Sequence, residues 1–404
     1  MPQSRVLLDD NLRPIWNWLR YSGLTTVHTS RQPRSIRIIS HISTALITLS
    51  CSLFALFELY RFFDAIIAKG INTNFFLSFL WFSPFPIYCV AQYQYWSDRN
   101  RFEQFFENWA KIEKRSSSYY NGVKPTMLYL LYPVQVGSVM IAAFYWNTQV
   151  STESYMLSSV EFLRETFGTT LLALFTSFIY YFLIMVHASS QLIPSFFFSH
   201  AGNLVRALEQ ELLLSYRSLS IAPDNFFRDS SSPSLINLNS RTDVTTGVCR
   251  IWERYENIFE HVNEANDLFG ILIVTSDLTL FTYVCLLLYG IISFFNTHLT
   301  MCGVLTATVC LYVFQIIFSN QLVSHLHISS NKLQSSISRL MSKKWEVLLE
   351  DDRNLLNSFH SRLDRQDMIA KPLNLYTITH TNLVSMLALC VSYVIIFLQS
   401  THWM

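Results

Sequence analysis

Three polar side chains near the end of the chain fall on one line. Ser385, Ser392 and Gln399 recur at seven-residue spacing, which sets them along one face of a helix. Thr381 begins the stripe, and Leu389, Ile395 and Ile396 fill between. Polar positions interrupted by apolar ones suit a water-filled conduit, with hydrated sites separated by a constriction that can dewet. Small residues at such spacing also ease helix packing, but Gln399 is not small.

A second constellation centres on Asp277, the one carboxylate deep inside an apolar stretch. Intramembrane acids are costly and mark functional candidates. His187 and Gln315 lie at a comparable depth on two other apolar stretches. Two readings stay open for this group: a structural hydrogen bond or ion pair that holds a helix bundle, and part of a ligand or ion site. His325 and His327 form an isolated pair, too few ligands for a metal. The seven cysteines are scattered without zinc spacing. No GxSxG, HExxH, P-loop or dinucleotide fingerprint is present. The expectation is therefore a protein that is not an enzyme and needs no cofactor or metal.

The elements that must position these residues are membrane helices. Hydrophobic residues make up 51% of the 404 and charged residues only 14%, against about 25% charged in soluble domains. A span needs about 20 mostly apolar residues. Seven stretches qualify: Ile36–Phe57, Phe75–Tyr95, Met127–Trp146, Phe167–Leu192, Leu268–Phe295, Leu299–Leu322 and Thr381–Gln399. The first is preceded by about 35 mostly polar residues with five basic ones, a sixth, Arg37, standing just inside its start, unlike a cleavable signal peptide.

Of the 29 Lys and Arg, 26 fall on the side of the N-terminal segment and only Arg61, Lys69 and Arg164 on the other. The excess of basic residues marks the cytoplasmic side. The fold class expected is an all-α membrane protein of seven transmembrane helices. Its N-terminus is cytoplasmic and its C-terminus extracellular, the reverse of a G-protein-coupled receptor. The net charge of +1 gives no reason to expect a nucleic-acid partner.

Helical patterns also extend on the basic side. Arg99–Arg115 continues the second span with Phe102, Phe105, Phe106 and Trp109 at helical spacing. Leu204–Leu219 and Cys249–Asp267 flank a Ser/Pro/Asn-rich stretch, 222–247, read as a disordered linker. Leu333–Arg365 reads as one further helical tract. These amphipathic faces exceed what one short bundle can bury, which leaves two readings: helices lying on the inner membrane surface, or packing on partner helices, including those of other subunits, the second being favoured. The chain thus divides into a cytoplasmic N-terminal segment (1–35), spans one to four (36–192), cytoplasmic helices (193–267), spans five and six (268–322), cytoplasmic anchor helices (323–380) and the last span with an extracellular C-terminus (381–404). The last span also admits a reading in which it continues a cytoplasmic helix that begins before Lys371-Pro372.

The segment Ser392-Tyr393-Val394-Ile395-Ile396-Phe397-Leu398-Gln399-Ser400 resembles the TYhhhhhQF signature, h being hydrophobic, in the last span of insect gustatory receptors. The Tyr, the five hydrophobics and the Gln match; Ser392 replaces Thr and Ser400 replaces Phe. The resemblance implies a ligand-gated, non-selective cation channel in the plasma membrane of sensory neurons. It implies a homotetramer, or a heteromer with related receptors, anchored by the cytoplasmic helices around one pore. The pore would be lined by Ser385, Ser392, Ile396, Gln399 and Ser400. A small tastant would enter from outside among the outer halves of spans two to six. Trp81, Tyr145, Trp146, Thr170, Phe175, Tyr283, Tyr289 and Thr306 lie there by depth alone. Val394 stands where sweet-taste members of that family often carry Glu, and Ser400 leaves open which residue forms the outer gate.

Two other classes compete. A transporter of a small solute would carry inverted repeats and Pro- or Gly-broken helices; Pro84, Pro86 and Pro133 have no counterparts in the other half. A membrane hydrolase needs clustered His and Asp, and Asp277 with His187 is too little.

Overall fold

The computed structural model describes residues 34–69, 79, 83–115, 137, 141, 168–220, 236–295, 299–344, 348, 350–365 and 368–402. Nine helices are described: α1 (Arg34–Lys69), α2 (Pro84–Ser97), α3 (Arg99–Arg115), α4 (Thr169–Ser220), α5 (Ile236–Leu268), α6 (Gly270–Phe294), α7 (Leu299–Lys344), α8 (Glu350–Arg365) and α9 (His380–His402). No strand occurs among the described residues. Three of these helices contain stretches long and apolar enough to cross a membrane, Ser177–Tyr216, Gly270–Ser293 and Leu299–Ser342. Shorter apolar stretches lie in α1 (Ala45–Phe57) and α9 (Val384–Ile396). Of the third expected span only residues 137 and 141 are described.

On α1, Ile42, Leu46, Leu49, Leu53, Leu56, Tyr60, Phe63 and Ile67 are exposed at alternating four- and three-residue steps, while Cys51 and Phe54 are buried. One helix face carrying only large apolar groups outward suits a hydrocarbon solvent rather than water. Pro84 and Pro86 sit at the start of α2, where a missing N–H costs nothing.

α4 runs without a break from the fourth expected span into its extension, passing through Pro194. It packs along α7, and their backbones meet at Gly202. A Cβ there would lie 2.6 Å from His325 Nδ1 and 2.9 Å from Leu326 Cα, so only glycine allows this approach.

The amphipathic extensions are buried within the chain itself. Phe102, Phe105, Phe106 and Trp109 are all inaccessible. Phe105 and Trp109 pack on Phe197 of α4, with ring centroids 5.0 and 4.6 Å apart, and Phe102 lies 5.6 Å from Phe269. Their apolar surplus is therefore absorbed inside one chain. Beneath them Glu113 accepts from His200 Nδ1 at 3.3 Å, both fully buried.

Three boundaries differ from the sequence reading. The backbone breaks at Asp98 (φ −99, ψ 17), so α3 begins a new helix instead of continuing α2. Leu333–Arg365 is two helices, α7 and α8, parted after Lys344, with the acids Glu350, Asp351 and Asp352 opening α8, where they favour a helix N-terminus. The expected linker 222–247 is helical from Ile236 onward, and its residues 222–235 lie outside those described. Ser, Asn and Thr compete with helix backbone only locally. Here Thr245 donates instead to Asp352 of α8 at 2.7 Å, and Val248 enters the core.

Candidate functional site

The stretch joining α8 to α9 is a strap rather than a helix. Met368, Ile369 and Ala370 are buried, and a short 3-10 turn spans Pro372–Asn374. α9 accordingly starts afresh at His380 and does not continue a helix from before Lys371. Asn266 of α5 holds the strap from both sides: its Nδ2 donates to the Ile369 carbonyl at 3.2 Å, and its Oδ1 accepts from the Lys371 N–H at 2.8 Å. The Ile378 N–H closes the loop onto the Ala370 carbonyl at 3.1 Å. Leu373 and Asn374 take left-handed φ values of 50° and 56°, which costs about 1 kcal/mol or more each. The turn fits because residue 270 is Gly: a Cβ there would come within 2.8 Å of the Leu373 nitrogen.

This strap delivers Tyr376 to Asp277 on α6. The Tyr376 hydroxyl donates to Asp277 Oδ2. Gln191 Nε2, from α4, donates to Oδ1 at 3.1 Å, and Gln191 Oε1 accepts from Gln315 Nε2 of α7 at 2.7 Å. Both oxygens of the half-buried acid are thereby satisfied, as a carboxylate largely removed from water requires. The chain Gln315–Gln191–Asp277–Tyr376 ties three apolar helices to the lead-in of α9.

Of the trio read from depth, Gln315 joins Asp277 through Gln191. His187 does not join: its Nε2 donates to the Ser276 carbonyl at 3.3 Å. Gln191 had a signal in the sequence, lying four residues beyond His187 on the same helix face. Tyr376 had none, because an irregular strap has no period from which to infer direction.

A cavity of about 590 Å³ opens beside this network. Its walls include Gln191, Asp277 and Tyr376, and also Ser319 of α7 and Ser385 and Tyr393 of α9. The polar network and the first serine of the stripe thus border one space.

α9 has two contrasting sides. Cys390 and Val394 are buried; the Cys285 thiol of α6 points to the Cys390 carbonyl at 3.8 Å. Tyr393 meets Phe281 edge-on at 5.6 Å. Position 394 is therefore a packing position, filled by Val394. On the opposite side Ser385, Leu389, Ser392, Ile396 and Gln399 are all exposed. The Ser385 and Ser392 hydroxyls donate back to the Thr381 and Ala388 carbonyls at 3.1 and 3.0 Å. The Ser400 side chain lies outside those described.

Among the eight pocket residues taken from depth, Tyr283 and Tyr289 are buried, and the Tyr283 ring lies 5.4 Å from Tyr312. Phe175 is half-exposed and meets Phe54 edge-on at 6.4 Å. Thr306 is exposed, its hydroxyl donating to the Cys302 carbonyl at 2.7 Å. Trp81, Tyr145, Trp146 and the side chain of Thr170 lie outside the described residues. Of the four described, Tyr283, Tyr289, Phe175 and Thr306, none borders the cavity beside Asp277.

No curated protein matches this chain in sequence. In structure it is similar to the insect olfactory receptor OR5 from Machilis hrabei, with TM-score 0.64, 13% identity, and coverage of 96% of this chain and 97% of that one. It is similar also to that receptor in complex with eugenol, with TM-score 0.66, 14% identity, and coverage of 97% and 98%. At that identity the likeness establishes the fold, a seven-transmembrane helical one. The model of one sequence family, described as 7tm Chemosensory receptor, matches residues 12–401. Almost the whole of the chain is covered by that match, and the protein belongs to the seven-transmembrane chemosensory receptor family, a family of receptors and not of enzymes.

Proposed function

We propose that this chemosensory receptor is a gustatory receptor and works as a ligand-gated, non-selective cation channel. A small tastant bound among the outer halves of spans two to six opens a pore lined by α9. The observation that carries this reading is the division of α9. Cys390 and Val394 are packed against the chain, while Ser392, Ile396 and Gln399 are exposed on the far side and Ser385 is exposed at the wall of the cavity beside Asp277. A half-polar face on an apolar helix is costly against lipid and is at home around water. Four copies brought together would surround one conduit with it, as a homotetramer or with related receptors. The basic residues place the N-terminus in the cytoplasm and Gln399 at the outer mouth. The match to the gustatory signature around Tyr393 and Gln399 supports taste. The eugenol complex of a protein of this fold supports a small-molecule stimulus.

In this reading the strap is the coupling element. Tyr376 hands the position of Asp277, Gln191 and Gln315 to the start of α9, four residues before His380. Spans that shift around a ligand would move the pore helix through that contact.

Whole-cell and single-channel recording from expressing cells, against a panel of sugars, bitter compounds and amino acids, tests the proposal. Unitary currents whose conductance changes in Gln399→Ala are expected. Stimulus-evoked flux without unitary steps, unaltered by that substitution, would indicate a transporter and sink the channel reading.

A further inference from the structure

A second cavity, of about 210 Å³, lies among α3, α4 and α5. Its walls carry Lys111 and Arg115 from α3, Arg254 and His261 from α5, the amides of Asn108 and Asn257, and aliphatic groups such as Leu204 and Leu208; no carboxylate lines it. Arg254 is partly neutralised by Glu211 at 2.9 Å, and the Lys111 ammonium donates to Asn108 at 3.0 Å. His261 turns its Nδ1 to the Asn257 carbonyl at 3.0 Å, and its buried Nε2 has no hydrogen-bond partner. Cations gathered around a hollow that no carboxylate lines, only one of them held by an acid outside it, with the His261 ring on its wall, are complementary to an anion. The volume is below the range of about 300–1,000 Å³ typical of drug-sized ligands and suits a compact group.

From these observations we infer a cytoplasmic site for a phosphorylated anion, held by Lys111, Arg115, Arg254 and His261. The cytoplasmic placement rests on the orientation given under Proposed function; the chemistry of the site does not. Its depth selects a soluble ligand. Leu204 and Leu208 lie 12 and 16 residues beyond Leu192, ~18–24 Å along α4 at the helical rise. His261 and Arg254 precede Leu268 by 7 and 14 residues, ~10–21 Å along α5. For spans that end at Leu192 and begin at Leu268, as the sequence reading has them, the headgroup layer, only about 5–7 Å thick on each side, ends above the cavity. α5 also carries Asn266, which holds the strap, so an anion bound across α3 and α5 would stiffen the base on which the strap rests.

The test uses the full chain, purified into nanodiscs of neutral phosphatidylcholine, with thermal unfolding followed at constant ionic strength. Inositol trisphosphate in solution should raise the Tm and bind at least tenfold more weakly to Lys111→Gln/Arg115→Gln, while Lys114→Gln, an equal loss of charge outside the cavity, responds as the native chain does. His261→Gln, which keeps a hydrogen-bonding group beside Asn257, should weaken binding by a smaller factor. A second arm places phosphatidylinositol bisphosphate in the nanodisc with no soluble phosphate. A rise confined to that arm, and lost in the same double variant, upholds the phosphate site and moves its source to a lipid headgroup. No response in either arm, or equal responses in the native chain and the double variant, overturns the inference. Stimulus-evoked currents in excised patches lacking soluble phosphate report the channel reading separately.

Discussion

The cluster where α3 meets α4 and α5 and the outward face of α9 treat their side chains in opposite ways. In the first, four aromatics of α3 are wholly buried and Glu113 is matched by His200. In the second, a stripe of serines, a glutamine and large aliphatics stands away from the chain, its hydroxyls turned back on their own helix. One region is finished within a single polypeptide; the other awaits water, lipid or further copies. A residue buried at its own chain's expense reports on stability, and a residue with no neighbour reports on what the chain joins or conducts.

The sharpest way to break this contrast is in the finished region. Trp109→Ala should cost about 3–5 kcal/mol, as large-to-small changes of buried aromatics do. Glu113→Ala, which removes the carboxylate facing His200 in the core, should cost about 3 kcal/mol or somewhat more. Thermal unfolding of purified protein checks both, and values below about 1 kcal/mol would mean that this cluster is not closed as described.

An intermediate effect is expected at the strap. Tyr376→Phe keeps the ring and leaves one oxygen of a half-buried acid without its donor, a loss of about 1–3 kcal/mol. Its signature should be functional as well: surface expression near normal but a shifted dose–response curve in whole-cell recording. An unchanged curve would separate the Asp277 network from gating.

Smaller again is the pairing of α8 with α5. Arg362 grips Glu256 through Nε at 2.8 Å and a terminal nitrogen at 3.0 Å, and Phe359 stacks on Trp252 at 5.4 Å. The Arg362 guanidinium holds the Glu256 carboxyl below its ordinary value of 4.5. A depressed carboxylate pKa stabilises the fold above the unfolded value, and that contribution is lost as pH falls through the folded one. Arg362→Gln should therefore cost about 1 kcal/mol at neutral pH, and the gap from the native chain should narrow as pH falls below the ordinary carboxylate value of 4.5. Unfolding followed across pH 3–7 measures it.

At the open face, Ser392→Ala and Leu389→Ala should change stability by less than about 0.5 kcal/mol in the monomer. Ser392→Ala should alter unitary conductance all the same. A large loss of stability would show that the stripe is packed, and the contrast with α3 would fall.

Much of this arrangement was legible before any coordinates, and the residues show why. Phe102, Phe105, Phe106 and Trp109 repeat with the helical period, so their common face could be read; only the partner, Phe197, could not. The direction of the α9 stripe was likewise fixed by periodicity, and Cys390 and Val394 fall on the far side as helix geometry requires. The depth of Asp277, Gln315 and His187 followed from counting along spans. Depth counted along a span, however, does not choose between residues one turn apart on the same face: His187 reaches the Ser276 carbonyl and Gln191, four residues on, reaches Asp277.

The sequence by itself determined the helical class, the apolar stretches with their basic flanks, the polar stripe and the resemblance that named a family. These depend on composition and period, which are properties of neighbours along the chain. Tertiary structure alone decided that the α3 aromatics are absorbed inside one chain, that helix runs back to Ile236, that the strap fits over Gly270 and that Tyr376 caps Asp277. Each of these rests on groups separated by about a hundred residues in sequence, such as Tyr376 and Asp277 at 99 and Thr245 and Asp352 at 107. Irregular backbone has no repeat to read, so its contacts are settled only when packing fixes where it lies.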